Sequence, residues 1–156
     1  KYVVLAGSYA DNFIVSHFKD GTEKSSSEVM ESGLDRAIDL VESTGAKALI
    51  IKGMPKVQEL DQNCPLRKEM FGDLDCGFER KIHDEHFKQW NEMLSRLKAK
   101  HKNLKVIDIE PYFCDAEKCY LDRNGVPLYI DQKHINYVAS GEVGKWYMQK
   151  HGNPLK

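Results

Sequence analysis

Asp131 and His134 stand three positions apart in the stretch Tyr129-Ile130-Asp131-Gln132-Lys133-His134-Ile135-Asn136, directly ahead of a helical pattern. A carboxylate and an imidazole at that spacing can share one side of a tight turn. The carboxylate then accepts a hydrogen bond from Nδ1–H, which fixes the tautomer that leaves Nε2 as a base. Such a pair is two parts of a nucleophilic acyl-transfer site and lacks the third, a hydroxyl or thiol to be activated. D-x-x-H on its own is a weak signal, equally at home in a solvated loop.

Other groups could complete a site or stand apart from it. Ser8, in Ala6-Gly7-Ser8, is read as a turn residue or, alternatively, as the nucleophile. An oxyanion needs aimed donors. Gly7, whose backbone N–H a ligand can approach closely, and Asn12, with its side-chain amide, follow the first apolar run; the plainer reading is a strand end and a turn cap. Tyr9 and Tyr129, beside strand ends, could stack on a sugar ring. His83-Asp84-Glu85-His86 carries histidines at i and i+3. No third ligand is evident and H-E-x-x-H is absent, so a helix start with Asp84 near its N-cap is the better account and no metal is assigned. His17, His101 and His151 are read as surface residues, and Trp90 and Trp146 as core.

The four cysteines fall into the local pairs Cys64/Cys76 and Cys114/Cys119, without the CxxC…CxxC spacing of structural zinc. Short-range pairs among Asp, Pro and Gly suit disulfides that staple loops in an oxidising compartment, a periplasmic or extracellular address. The alternative is four reduced, buried thiols. With 156 residues, 41% of them hydrophobic and 30% charged, the composition is that of one globular domain. A net charge of -1 excludes the basic field that nucleic acid or anionic lipid would require. There is no apolar run of some 18 residues to span a bilayer.

The elements that must position these groups follow from periodicity. Tyr2–Ala6 is a continuous apolar run, predicted to be a buried parallel strand. Because the chain opens directly on it, an N-terminally incomplete piece of a longer protein is expected. Ser25-x-x-Glu28 is a capping box, and Met30, Leu34, Ala37, Ile38 and Val41 recur at helical spacing up to Gly45. Ala48-Leu49-Ile50-Ile51 is a second buried strand. Met54 to His83 shows no clear period and holds the first cysteine pair. Phe87, Trp90, Met93, Leu94 and Leu97 mark a second helix. Leu104, Val106, Ile107 and Ile109 mark a third strand. Asn124-Gly125, between Cys119-Tyr120-Leu121 and Leu128-Tyr129-Ile130, predicts a hairpin with a type I′ turn, and Pro127 puts it at an edge. Ala139, Val143, Trp146 and Tyr147 give a last helix ending near Gly152. Strands alternating with helices imply an α/β fold with a parallel sheet, helices on its faces and an edge hairpin.

The order of these pieces resembles the SGNH (GDSL-like) hydrolase superfamily, most closely the extracytoplasmic SGNH domain fused to membrane O-acyltransferases of the acyltransferase-3 type. The resemblance is carried by Val3-Val4-Leu5-Ala6-Gly7 with Tyr9, by Lys47–Ile51 followed by Met54-Pro55, by Cys64-Pro65, and by Val106-Ile107-Asp108 with Cys114-Asp115 and Cys119. It ends on Leu128-Tyr129-Ile130-Asp131-Gln132-Lys133-His134, which matches the family's final block. It implies a three-layer α/β/α fold, a serine esterase or O-acyltransferase moving small acyl groups, acetyl above all, on cell-envelope polysaccharide, and Asp131 and His134 as two triad members. It implies an acylated glycan or acyl donor as ligand, a membrane acyltransferase domain of the same parent chain as partner, tethering to the inner membrane, and no cofactor. Two departures qualify it. The family's first strand, ending Gly-Asp-Ser, is not found, which places the serine upstream and predicts a sheet lacking its first strand and a chain inactive by itself. The final block reads His134-Ile135-Asn136 where the family usually has His-Leu-Ser. A non-catalytic module that binds glycan or docks on a partner is the competing function, and a complete esterase using Ser8 is a third.

Overall fold

The computed structural model describes residues 1–7, 9, 16–17, 23–24, 26–56, 61, 63–132 and 134–156. In chain order the elements are β1 (Tyr2–Leu5), β2 (Ser16–His17), β3 (Glu23–Lys24), α1 (Ser26–Ser43), β4 (Lys47–Ile51), α2 (Cys64–Phe71), β5 (Gly77–Glu79) and α3 (Arg80–Lys100). They continue with β6 (Lys105–Ile107), α4 (Glu110–Phe113), β7 (Lys118–Tyr120), β8 (Asp122–Arg123), β9 (Val126–Pro127) and α5 (Tyr137–His151). Two compact units divide them, Lys1–Gly53 with Phe87–Ile107 and Met54–His86 with Asp108–Lys156. Ser8, Asn12, Ser25 and the side chain of His17 lie outside the described residues.

The first unit holds the parallel sheet, in the order β1-β4-β6, with Val3 opposite Ala48 and Ile50 opposite Val106. Ala48, Leu49 and Ile50 are each 0% exposed. Consecutive strand residues point to opposite faces, so β4 is covered on both sides, which is why it reads as an unbroken apolar run. Ala48 and Ile50 pack with Leu34 and Ile38 of α1 and with Phe87, Trp90, Met93, Leu94 and Leu97 of α3. Those are the apolar stripes seen in the periodicity. Gly45 closes α1 with φ +76°, a left-handed turn open to glycine, and its N–H reaches the Glu42 carbonyl at 2.9 Å.

β1 departs from expectation. It lies at the edge of the sheet, and Val3 and Val4 are 40% and 49% exposed rather than buried. A Val-rich run identifies a strand, but its residue types are the same whether a neighbour covers it or not.

The second unit has its own core, built on Met54, Tyr112, Phe113, Leu121, Leu128, Tyr129, Ala139 and Val143 together with all four half-cystines. Cys64 is bonded to Cys76 and Cys114 to Cys119, the two pairs read from spacing. The described residues of the Met54–His83 stretch hold more regular structure than its lack of period suggested. They contain α2, β5 and the opening of α3. Pro65 in the first turn of α2 was the available signal, since a proline loses no helical hydrogen bond there. α3 begins at Arg80, so Asp84 sits inside the helix and not at its N-cap; it takes part in an i,i+4 pair with Arg80.

Asn124 and Gly125 both have positive φ, 52° and 77°, which is the type I′ turn, and Asp122 and Arg123 pair with Pro127 and Val126. Cys119 and Tyr120 lie outside that hairpin ladder. They pair antiparallel with Phe78 and Gly77 of β5. Ile109 likewise leaves the third strand and becomes the residue before α4.

Opening the Cys64–Cys76 link, which spans 12 residues, frees a longer loop than opening Cys114–Cys119, which spans 5. The double change Cys64→Ser with Cys76→Ser is expected to cost about 3 kcal/mol in urea unfolding, and Cys114→Ser with Cys119→Ser about 2. The reverse ranking would show that loop closure is not what these bonds contribute.

Candidate active site

The segment carrying Asp131 and His134 is a closed turn whose two ends are bridged. Tyr129 and Ile135 form an antiparallel bridge, and the Ile130 N–H donates to the His134 carbonyl at 3.0 Å. Below it, the Asn136 N–H reaches the Leu128 carbonyl at 2.9 Å and the Leu128 N–H reaches the Leu121 carbonyl at 2.8 Å. The turn is thus spliced onto the end of the Asn124-Gly125 hairpin. On its far side Asn136 caps α5, its Oδ1 accepting from the Val138 N–H at 2.8 Å. A serine at that position would cap equally well.

Tyr129 anchors the base. It is 6% exposed, its ring lies 5.7 Å from that of Phe113, and its hydroxyl donates to the Pro55 carbonyl at 2.8 Å. Burial pushes its phenol pKa up, so it remains a neutral donor. Tyr129 is consequently a structural tie and has no face free to stack on a sugar. It joins Met54-Pro55 to the final block, two segments that the sequence shows only as separate pieces.

On this base the imidazole and carboxylate meet. His134 Nδ1 stands 2.9 Å from Asp131 Oδ1 and 2.8 Å from Oδ2, and the His134 backbone N–H donates to Oδ1 at 2.8 Å. A carboxylate can only accept, so Nδ1 is the nitrogen that carries a hydrogen toward Asp131, and Nε2 is directed away from it. The side chains are 71% and 49% exposed, so Nε2 is open to a reacting group. Ile130 and Tyr137, on either side of the turn, are 66% and 91% exposed and add apolar surface beside it.

Gly7 and Tyr9 lie in the first unit. Gly7 follows β1, and a Cβ there would meet the Tyr9 ring at 3.2 Å. Tyr9 is half-buried and stacked on Trp90 at 4.7 Å. The absence of a side chain at Gly7 is therefore accounted for by the tyrosine packed against it, and one face of Tyr9 is already taken. Trp90, 1% exposed, is core as expected.

Two histidines read differently in three dimensions. His83 is 0% exposed, with Nε2 3.1 Å from Glu110 Oε2, and Glu110 is also paired with Arg80. Glu110, buried at the start of α4, is a partner that sequence spacing could not reveal. His101 is 4% exposed and surrounded by carboxylates, not a surface residue. A groove of about 410 Å³ in the first unit, lined by Glu28, Glu31, Ser32, Asp35, Arg96, Leu97 and Lys100, is occupied along its walls by the Glu31–Arg96 and Asp35–Lys100 ion pairs. Among the described residues, no helix is long and apolar enough to cross a membrane.

A family model described as the SGNH domain fused to AT3 domains matches residues 1–149. Among solved structures, the periplasmic domain of the lipopolysaccharide acetyltransferase of Salmonella ser. Paratyphi A matches with a TM-score of 0.65 at 13% identity, covering 96% of this chain and 56% of that one. At that identity the likeness is one of fold, and the chain spans little more than half the length of its neighbour. No curated protein matches.

Proposed function

The chain belongs to the family of SGNH domains fused to AT3 domains, and from that premise we propose that it supplies the base and the orienting carboxylate of a serine acyl-transfer site acting on cell-envelope glycan. The observation that carries this is the contact of His134 Nδ1 with both oxygens of Asp131, which leaves Nε2 open.

In the proposed cycle a serine hydroxyl gives its proton to His134 Nε2 as its oxygen attacks the carbonyl carbon of an acyl donor. Asp131 stabilises the imidazolium that results. The tetrahedral intermediate collapses, the bond to the leaving group breaks, and the leaving group takes the proton from Nε2. His134, neutral again, accepts the proton of a sugar hydroxyl as that oxygen attacks the acyl-serine. The second collapse returns the proton to the serine and releases the acylated glycan. The acyl group is small, acetyl being the expected case, and Ile130 and Tyr137 offer apolar surface beside the reacting atoms. The serine is assigned to polypeptide upstream of Lys1, since no Gly-Asp-Ser stands in this sequence; the exposed edge of β1 is consistent with a strand that pairs there. The same domain would work outside the cytoplasm, as its two disulfides favour, attached to a membrane acyltransferase domain of the parent protein.

Labelling with a serine-directed fluorophosphonate tests this. A version of the protein extended upstream should label on one serine outside this chain, while the chain alone should stay unlabelled. No labelling of the extended protein would favour a non-catalytic glycan-binding or docking module. Labelling of the chain itself at Ser8 would identify a complete esterase.

A further inference from the structure

His101 follows α3, and its N–H donates to the Leu97 carbonyl at 2.8 Å. Its Nε2 lies 2.8 Å from Asp35 Oδ1, and Asp35 is also held by the Lys100 ammonium at 2.6 Å. The opposite ring nitrogen, Nδ1, faces Glu42 Oε2 at 3.5 Å and Asp39 Oδ1 at 3.7 Å. Asp35, Asp39 and Glu42 are spaced i, i+4 and i+7, so α1 presents all three on one face. The second oxygen of Glu42, Oε1, is fully covered and has no hydrogen-bond partner among the described residues.

We propose that His101, Asp39 and Glu42 form a binding site for a divalent transition-metal ion of the zinc type, with Asp35 orienting the histidine. Donation from Nε2–H to Asp35 leaves the Nδ1 lone pair facing the two carboxylates, which is the carboxylate–histidine–metal arrangement. The separations of 3.5 and 3.7 Å are too long for charge-assisted hydrogen bonds, which fall at about 2.7–2.9 Å. They match the edge of a coordination polyhedron instead: two ligand atoms about 2.0–2.1 Å from one ion at the tetrahedral angle stand roughly 3.3 Å apart. Of the groups gathered around the ring, Asp35, Asp39 and Glu42 are carboxylates and Lys100 is the cation paired with Asp35, so negative charge is left for an ion to offset. An ion on Glu42 would also compensate the covered Oε1. One imidazole and two carboxylates suit zinc and its neighbours better than calcium or magnesium. The Asp39 side chain is 60% exposed, so an ion can enter from solvent. A bound ion would tie the C-terminal turns of α1 to the residue that ends α3.

Titration calorimetry of the metal-stripped chain with ZnCl2, alongside NMR of the histidine ring nitrogens, tests the site. One ion per chain is expected, with His101 Nδ1 the resonance that moves. Asp39→Asn and Glu42→Gln should each weaken binding by about 10-fold or more, and Asp35→Asn by roughly 10- to 100-fold. Asp39 is exposed enough that its variant should keep the fold, checked by circular dichroism. No uptake, uptake unchanged in both ligand variants, or shifts at other histidines with His101 unmoved would overturn the site. In those cases His101 is a structural clamp that holds α1 through Asp35.

Discussion

His134→Ala in the upstream-extended protein is expected to lower acyl-transfer turnover by roughly 10⁴- to 10⁶-fold, the range seen when the histidine of a serine triad is removed. The magnitude follows from the role. Without Nε2 the serine must shed its proton to water, and the leaving group has no acid to receive one from. The His134 side chain is 71% exposed, and the bonds that close its turn, Ile130 N–H to the His134 carbonyl and Asn136 N–H to the Leu128 carbonyl, are made by the backbone. Alanine keeps both, so the loss should come without loss of fold. The measurement is acetyl transfer to glycan, or release from p-nitrophenyl acetate, with fluorophosphonate labelling followed in parallel. Labelling should slow as turnover falls, because both need the serine proton removed. A variant within tenfold of the unmodified protein would remove His134 from the mechanism.

Asp131→Asn is expected to cost about 10³- to 10⁴-fold in kcat with KM little changed. Asparagine keeps an oxygen for the His134 backbone N–H, the bond that shapes the turn at 2.8 Å. What it loses is the obligatory acceptor. Its amide can donate to Nδ1, which places the proton on Nε2 and removes the base. Asp131→Ala should add a second effect, since the turn then also loses the acceptor of that backbone bond. The contrast separates tautomer control from turn geometry: equal kcat for the two variants would mean that the backbone bond adds nothing and that Asp131 acts through the ring alone, whereas loss in Asp131→Ala only would mean that it shapes the backbone and does nothing for the ring. Full activity in Asp131→Asn would show that His134 needs no orienting carboxylate.

Most of what was legible in the sequence concerns features closed over short chain distances. The i,i+3 relation of Asp131 and His134 needs only a turn, and a turn is what forms. Asn124-Gly125 takes up two positive φ values because few other dipeptides tolerate them. Cys64/Cys76 and Cys114/Cys119 pair because each partner is the nearest in sequence. The stripes of α1 and α3 encode their buried faces, and the unbroken run of β4 encodes a strand covered on both sides.

The failures have one physical cause. Burial at an edge strand, the pairing of β7 with β5, the Glu110 beside His83 and the carboxylates around His101 all depend on groups far apart in the chain. A histidine in a polar stretch looks the same whether it faces water or, like His101, sits across from α1 at Asp35, Asp39 and Glu42. Tyr129 shows the division most directly. Its place in the final block is written locally, but its hydroxyl bond to Pro55, 74 residues away, is what holds the Asp131–His134 turn to its base. The sequence by itself determined the α/β class, the cysteine staples and the Asp131–His134 pair as a local unit. The tertiary structure alone decided which residues are buried and what each buried polar group meets, because desolvation and pairing are set by neighbours that only folding brings near.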